Sequence, residues 1–332
     1  MRYLGSKASL LPKLYELISK KVPSGCFCDP FGGVGVVGTF FKQQGYVVWT
    51  GDILRFAHFF QIARIQSNRP VPFYALRGEK NFTSSEEIVD FLNSLPPKNG
   101  WFVREYSRVR PFFNESNAGK IEAIRVLINQ WSKRGLLTYE EEAVLLASLI
   151  ESMDKVANTA GTYYAALKTH YRKARRPLKF ALIEHTPGSP ECRSFLANAI
   201  TLVSARDFDV IYLDPPYNHR CYTHYYHLPE TIAHGSAPRV KGKSGMPTLR
   251  RPTSDFTRLN MAAAALRALL KECRCKLLVF HYADNGLITN REIIDVLRQY
   301  GDVERVLLET RGYSSLATHP SVRHNVFFVH NA

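Results

Sequence analysis

Acidic residues are scarce in this 332-residue chain, since 29 Asp and Glu stand against 44 Lys and Arg, and the net charge is +15. No stretch approaches about 18 consecutive apolar residues, which a membrane-spanning helix needs. The opening residues, MRYLGSKASLLPK, also lack the apolar run of a signal peptide. With 45% apolar and 22% charged residues, the composition excludes a disordered tail, a collagen-like chain and a coiled coil. We therefore expect a globular chain with an anionic partner.

Cysteine is also rare, with six residues at positions 26, 28, 192, 221, 273 and 275. The two Cys-x-Cys pairs lack the two-residue spacing of common zinc sites and lie in apolar, strand-like runs. His219, His224 and His227 match no known zinc spacing either. We predict reduced core thiols in a cytosolic protein, with no structural disulfide and no metal.

The basic residues are clustered in two segments. The first contains Lys168, Arg172, Lys173, Arg175, Arg176 and Lys179, and the second contains Arg239, Lys241, Lys243, Arg250 and Arg251. Such clusters neutralise phosphates and release counterions, which favours nucleic acid as the partner. Tyr163, Tyr164 and Tyr171 stand beside the first cluster and suit base or sugar contacts. The alternative is a basic protein whose charge serves solubility alone.

The order of elements predicts a parallel α/β sheet. A strand at 26–28 leads through a glycine-rich turn into a helix ending near 43, and a second strand follows at 46–50. Further strands are predicted at 209–213, 276–280, 303–308 and 325–329. Residues of about 70 to 190 carry helical patterns and polar linkers. We therefore predict a catalytic domain at 1–68 and 190–332, and a mostly helical insert at 69–189.

The glycine turn predicts a nucleoside cofactor. Gly33-x-Gly35-x-x-Gly38 follows a strand, and Asp52 comes nineteen residues after Gly33. Small residues let the backbone approach a nucleoside, and a carboxylate after the second strand accepts from a ribose hydroxyl. This pattern suits NAD and S-adenosylmethionine equally, and a purely structural turn is the third alternative.

The turn Asp214-Pro215-Pro216-Tyr217 follows another apolar strand. The two prolines fix the backbone and remove two amide donors, so carbonyl and carboxylate acceptors remain beside them. Such a site suits an exocyclic amino group, whose hydrogens Asp214 and the Pro215 carbonyl accept. Tyr217 offers a face on which a base stacks. A plain proline-rich turn is the alternative.

Three motifs in this order resemble the Dam-like N6-adenine DNA methyltransferases, whose signature is Asp-Pro-Pro-Tyr. They are Arg2-Tyr3-Leu4-Gly5-Ser6-Lys7, Asp29-Pro30-Phe31-Gly32-Gly33-Val34-Gly35 and Asp214-Pro215-Pro216-Tyr217-Asn218. The segments from Asn218 to Tyr222, Tyr226 to Ile232 and His281 to Ile288 are similar to the branch of type II restriction–modification systems. The resemblance covers about residues 1–60 and 195–330, and the middle of the chain matches no pattern.

The resemblance implies a Rossmann-like, mostly parallel seven-stranded sheet with a helical insert, and it assigns roles by position. It implies S-adenosylmethionine contacts at Tyr3, Lys7, Asp29, Phe31, Gly33, Gly35, Asp52, Ile53, Asn198 and Asp214. Asn198 stands where the family usually has an acidic residue. The catalytic turn is Asp214, Pro215, Pro216 and Tyr217. Nucleic-acid contacts are expected at Lys168, Arg172, Lys173, Arg175, Arg176, Arg220, Tyr222, Lys241 and Lys243.

The resulting prediction is an enzyme that transfers a methyl group from S-adenosylmethionine to adenine N6 at a specific site in double-stranded DNA, with the target base flipped. The expected setting is a prokaryotic cytosol or a phage genome. A restriction endonuclease acting on the same site is the further expected partner. An RNA adenine methyltransferase, an NAD(P) dehydrogenase and a catalytically silent DNA-binding module are the alternatives.

Overall fold

The computed structural model describes residues 1, 3, 5, 7–249, 252–311 and 321–330. Arg2, Leu4 and Ser6 of the first motif, and Arg250 and Arg251 of the second basic segment, lie outside these residues. The chain divides into two compact units. We call residues 7–53, 186–221 and 252–332 the sheet unit, and residues 1–6, 54–185 and 222–251 the helical unit.

The strands of the described residues form one large sheet and one short ribbon. They are β1 (Cys26–Asp29), β2 (Val47–Asp52), β3 (Arg193–Leu196), β4 (Phe208–Leu213), β5 (Val240–Lys241), β6 (Met246–Pro247), β7 (Cys275–Ala283), β8 (Asp302–Arg311) and β9 (Ser321–His330). The seven-stranded sheet has the order β3-β2-β1-β4-β7-β9-β8. β3, β2, β1, β4 and β7 are parallel, whereas β9 runs antiparallel to both β7 and β8. The predicted mostly parallel, seven-stranded Rossmann-like sheet is thereby confirmed.

The helices are distributed over both units. They are α1 (Leu11–Ser19), α2 (Val36–Gln43), α3 (Arg55–Gln61), α4 (Tyr74–Lys80), α5 (Ser85–Ser94), α6 (Trp101–Val103), α7 (Glu115–Lys133), α8 (Tyr139–Asp154), α9 (Ala199–Val203), α10 (Tyr222–Tyr225), α11 (His227–Ala233), α12 (Leu259–Leu270) and α13 (Asn290–Leu297). Within the described residues, no helix combines the length and the apolar character needed to cross a membrane.

The central strands are apolar because helices cover the sheet. All four residues of β1 are buried, and β4 is buried along nearly all its length. Strands covered on both faces read as continuous apolar runs, which is typical of parallel sheets. On one face Phe27 stacks on Phe41 of α2, with ring centroids 4.1 Å apart. All six cysteines are unpaired thiols, and four of them are buried.

The helical unit is organised around its two longest helices, α7 and α8. Asn114 caps α7 by accepting from the Asn117 N–H. At the start of α8, Thr138 and Glu141 cap each other's backbone N–H groups in a capping box. Apolar side chains of both helices, including Ile124 and Leu149, are fully buried. The buried faces account for the helical pattern from which helices were predicted in this part of the chain.

The structure differs from the sequence prediction in three places. The sequence between Tyr222 and Ala233 predicts a single helix, whereas the structure has two helices there, because Pro229 lacks an N–H and prevents a continuous helix through Tyr226. The second basic segment, for which the sequence predicts a loop, contains the ribbon of β5 and β6. The short edge strand β3 was not predicted. The helical unit groups residues 54–68 and 222–251 with the helical segment, and the domain bounds at 1–68, 69–189 and 190–332 stay a prediction.

Candidate active site at the strand ends

The carboxyl ends of three neighbouring strands bring three aspartates to one edge of the sheet. Asp29 ends β1, Asp52 ends β2, and Asp214 directly follows β4. β1 pairs in parallel with both β2 and β4. The order of strands along the chain reverses between β1 and β4, and open α/β sheets bind ligands at such a switch point. The predicted cofactor and catalytic motifs of the sheet unit therefore meet where this fold binds ligands.

The glycine turn after β1 orients the Asp52 carboxylate. Gly33 and Gly35 have φ angles of 51° and 81°, a conformation that glycine adopts at little cost. The Gly33 N–H donates to Asp52 Oδ2 at 3.1 Å, and the Gly32 N–H donates to the Gly51 carbonyl at 2.9 Å. The turn thus ties the end of β1 to the end of β2, and α2 begins directly after Gly35.

Lys7 forms a buried ion pair with Asp214. Lys7 Nζ donates to Asp214 Oδ2 at 2.6 Å, although the two residues are 207 positions apart. The Lys7 side chain is 4% exposed and that of Asp214 is 17% exposed. Burial raises the pKa of Asp214, while the charge and the hydrogen bond of Lys7 oppose this rise. The role predicted for Lys7, a contact to the cofactor's carboxylate, stays a prediction.

Asp29 is a buried carboxyl group that is not fully satisfied. It is 1% exposed, and burial together with the charges of Asp214 and Asp52 raises its pKa to about 8, although the Phe31 backbone N–H and Lys7 favour its ionised form. Its Oδ1 atom has no hydrogen-bond partner among the described residues. A buried carboxyl oxygen without a donor is costly, so Asp29 is suited to a ligand that brings an ammonium group or another donor.

The proline turn is held in a fixed conformation next to this ion pair. Pro215 is buried and Pro216 is half-buried. The Leu287 N–H donates to the Tyr217 carbonyl at 2.9 Å. The Tyr217 ring packs edge-on against Tyr282 with centroids 6.2 Å apart, and its centroid lies 6.0 Å from Lys7 Nζ. The turn therefore combines a carboxylate, proline carbonyls and an aromatic face, as its residue types predict.

A row of buried rings next to this site escaped the sequence prediction. Tyr212 Oη and His281 Nδ1 form a hydrogen bond of 2.7 Å, and the His281 and His324 rings lie 5.0 Å apart. Burial, Lys7 and His324 hold the pKa of His281 well below its usual range, so its ring is neutral. The sequence could have predicted this contact, because side chains along a strand alternate between the two faces of the sheet. This alternation puts Tyr212 of β4 and His281 of β7 on the same face.

The remaining predicted contacts of the sheet unit are Asn198 and Ile53 for the cofactor and Arg220 for DNA. Asn198 Oδ1 accepts from the Thr201 N–H at 2.9 Å and from Thr201 Oγ1 at 3.1 Å, which caps α9. Ile53 is half-buried directly after Asp52. Arg220 is exposed, and its backbone N–H donates to Asn218 Oδ1 at 3.0 Å. Their contacts to cofactor or DNA stay predictions.

Tyr3 and Tyr222 lie in an aromatic cluster of the helical unit. The Tyr3 ring stacks on Tyr226 with centroids 4.9 Å apart, and it lies 5.7 Å from Tyr222 and 6.4 Å from Phe56. Tyr222 also stacks on Tyr226 at 6.3 Å. The sequence assigned Tyr3 to the cofactor and Tyr222 to DNA, and the structure brings these two rings together.

The predicted phosphate contacts lie on surface segments of the helical unit. The exposed members are Lys168, Arg172, Arg175, Arg176, Lys241 and Lys243, whereas Lys173 is half-buried. The second segment is docked by the Arg110 guanidinium, whose Nε donates to the Gly242 carbonyl at 2.9 Å. Within the described part of the chain, no group of three or more His, Cys, Asp or Glu side chains is arranged to hold a metal ion.

The sheet order and the strand-end site together define the class of Rossmann-like methyltransferases with an Asp-Pro-Pro-Tyr turn. A sequence model of the D12 class N6 adenine-specific DNA methyltransferases matches residues 3–283. The chain belongs to this family, and the predicted family resemblance is confirmed.

Several type II modification enzymes are similar to this chain. The modification methylase StsI of Streptococcus sanguinis is 30% identical over 95% of this chain and 49% of its own length. The type II methyltransferase M.FokI of Planomicrobium okeanokoites is 31% identical over 91% and 47%. M.NlaIII of Neisseria lactamica is 28% identical over 95% of this chain and 93% of its own length. The chain thus spans about half of the first two relatives and nearly all of the third.

Proposed function

We propose that this chain methylates adenine N6 at a specific site in double-stranded DNA, with S-adenosylmethionine as the methyl donor. Its role is that of the modification enzyme in a restriction–modification system, beside an endonuclease that reads the same site. The observation that carries the proposal is the buried Lys7–Asp214 pair at the switch point, followed by two prolines and Tyr217.

The residues at the strand ends fit the methyl donor. The unpartnered Oδ1 of Asp29 suits the ammonium group of its methionine end. Asp52, oriented by the Gly33 N–H, suits the ribose hydroxyls. S-adenosylmethionine supplies a methyl group that is already activated on a sulfonium centre, so the protein's contribution is orientation and charge stabilisation.

The proline turn fits the target amine. Asp214 and the Pro215 carbonyl accept the two hydrogens of the exocyclic nitrogen and direct its lone pair. Tyr217 stacks on the base, which is worth about 1–3 kcal/mol and offsets part of the few kcal/mol that flipping costs. The amine nitrogen would form its bond to the methyl carbon as the sulfur–methyl bond of the donor breaks and leaves a neutral thioether, and the amine proton would leave through Asp214 or water.

The test is transfer of tritium from labelled S-adenosylmethionine to duplex DNA, to RNA or to neither. Transfer to DNA, followed by sequencing of the modified base in a methylated plasmid, supports the proposal and identifies the site. Transfer to RNA alone would establish the alternative of an RNA adenine methyltransferase. Absence of transfer to both would refute the proposal. An absorbance change with NAD would support the dehydrogenase instead.

A further inference from the structure

Two stacked tyrosines of the helical unit are left without a function by the site described above. The rings of Tyr164 and Tyr225 are stacked, with centroids 5.4 Å apart and an interplanar angle of 25°. Tyr164 is 58% exposed, so one aromatic side chain of the stack lies largely in water. An exposed aromatic face is suited to a flat partner that continues the stack.

The neighbouring Tyr163 has the opposite environment and anchors this pair. Its side chain is 1% exposed, and its hydroxyl donates to Asp154 Oδ1 at 3.1 Å. Its N–H donates to the Tyr225 carbonyl at 2.9 Å. Its carbonyl accepts from His227 Nε2 at 2.8 Å, so this nitrogen of the buried imidazole carries the hydrogen. The backbone next to Tyr164 is therefore fixed to the segment that carries Tyr225.

The sequence explains why the Tyr225 carbonyl is available for this anchor. In a continuous helix it would accept from the N–H four residues later, and that residue is Pro229, which has no N–H. The break between α10 and α11 thus leaves an acceptor, and the Tyr163 N–H satisfies it. Tyr164 and Tyr225 are held together by this backbone bond as well as by their ring contact.

The loop that bears Tyr164 is closed by a single buried side chain. Asn158 is fully buried, its Nδ2 donates to the carbonyls of Leu167 and Pro111 at 2.8 and 3.0 Å, and its Oδ1 accepts from the Tyr171 N–H at 3.2 Å. The Leu167 N–H also donates to the Asn158 carbonyl at 3.0 Å. These bonds fix both ends of the loop and preorganise the exposed tyrosine.

The charge around the pair indicates the kind of partner. Residues 155–183 contain seven Lys and Arg and no acidic residue. The exposed cations that follow Tyr164 include Lys168, Arg172 and Arg175. Aromatic faces combined with a cationic segment are the two elements by which proteins bind single-stranded nucleic acid.

We propose that Tyr164 and Tyr225 form a stacking platform for an unpaired nucleobase of the DNA strand whose phosphates these cations bind. This inference rests on the proposed function, in which DNA is the substrate. A paired base within a duplex has both faces covered by its neighbours, so only a base outside the stack has a face for Tyr164. Base flipping disrupts the stack around the target and so supplies such bases.

The platform is tested by comparing two oligonucleotides of equal length and phosphate number. One is an oligothymidylate of about 16 nucleotides, and the other is its abasic counterpart, both labelled for fluorescence anisotropy and measured without methyl donor. Phosphate contacts alone give equal affinities, whereas stacking gives the base-bearing strand about tenfold tighter binding. We expect this preference in the native chain and in Tyr164→Phe, and its loss in Tyr164→Ala and Tyr225→Ala.

Two controls separate stacking from charge and from folding. Tyr74→Ala removes a ring that is 77% exposed in the same unit and should leave the preference unchanged. Lys168→Ala should weaken binding of both strands by the same factor. Equal affinities in the native chain, or a preference that survives in Tyr164→Ala, would overturn the inference. Because no methyl transfer is measured, these results are independent of the outcome for the proposed function.

Discussion

The charged groups of the strand-end site and those of the first basic segment lie in opposite environments. In the sheet unit, Asp29 and Lys7 are buried, at 1% and 4% exposure, beside a half-buried Asp214. In the helical unit, the cations of the first basic segment are mostly exposed, as Lys168 and Arg172 illustrate. Buried charges persist only where they are paired or neutralised, whereas exposed cations interact with phosphates at little desolvation cost and are screened by salt.

This contrast separates reaction from binding. Buried groups at the strand ends have shifted pKa values and fixed partners. The groups that surround a reacting amine need these two properties. Exposed cations contribute to affinity additively and in a salt-dependent way. Substitutions in the two units should therefore affect different measurements, and a variant that affects both would break the distinction.

The largest effect is expected at Asp214. Asp214→Asn removes the negative charge beside the target amine and should lower the rate of methyl transfer about 10²- to 10³-fold, with DNA affinity unchanged. Single-turnover kinetics and a DNA-binding titration measure the two quantities. Asp207→Asn, an exposed acid in the same unit, is the matched control. Near-native turnover of Asp214→Asn would refute the catalytic assignment.

Next comes Asn158, which closes the loop of the helical unit. Asn158→Ala leaves buried backbone groups without partners and should lower the free energy of unfolding by about 1–3 kcal/mol, as urea denaturation measures. The sheet-unit counterpart is Asn198→Ala, which removes an exposed helix cap and should cost about 1 kcal/mol. A free energy of unfolding of Asn158→Ala equal to that of the native chain would show that the loop does not depend on the Asn158 side chain.

Asp29 should give the sheet unit a distinct pH dependence. Its pKa of about 8 lies above the usual aspartate value of 3.8, so between these values the folded state binds a proton that the unfolded state does not. The native chain should therefore lose stability as pH rises towards 8, by at most about 1.4 kcal/mol per pH unit.

Asp29→Asn removes this titration and serves as the reference. The native chain should lose stability relative to Asp29→Asn between pH 5 and about 8, and the difference should be constant above that range. Chemical denaturation over the pH series measures it. A stability difference between the native chain and the variant that stays constant over this interval would show that Asp29 is ionised in the fold.

The smallest effect is expected for single cations of the helical unit. Lys168→Ala should reduce the slope of log affinity against log salt by about 1 for duplex DNA, with the rate of methyl transfer at saturating DNA unchanged. Lys276→Ala, which removes an exposed lysine of the sheet unit paired with Asp209, is the control of equal charge. An unchanged slope would place Lys168 outside the phosphate contacts.

Much of the sheet unit was predictable because its signals are local. Continuous apolar runs predicted β1 and β4, and the glycine spacing predicted the turn that orients Asp52. The residue types from Asp214 to Tyr217 were enough to predict that this turn binds an exocyclic amino group. β3 was missed because its four residues at the sheet edge are mostly exposed or half-buried and carry no continuous apolar run. The ribbon of β5 and β6 was missed because two-residue strands leave no periodicity.

The amino-acid sequence by itself determined the order of the elements, the family and the chemistry of the strand-end motifs, because each depends on neighbouring residues and on short spacings. Only the tertiary structure decided that Lys7 pairs with Asp214, that Tyr212 bonds to His281, and that Tyr163 is an anchor whereas Tyr164 is exposed. Those contacts join residues far apart in the chain, or distinguish adjacent identical residues. Packing of the complete fold selects them, and no local pattern encodes them.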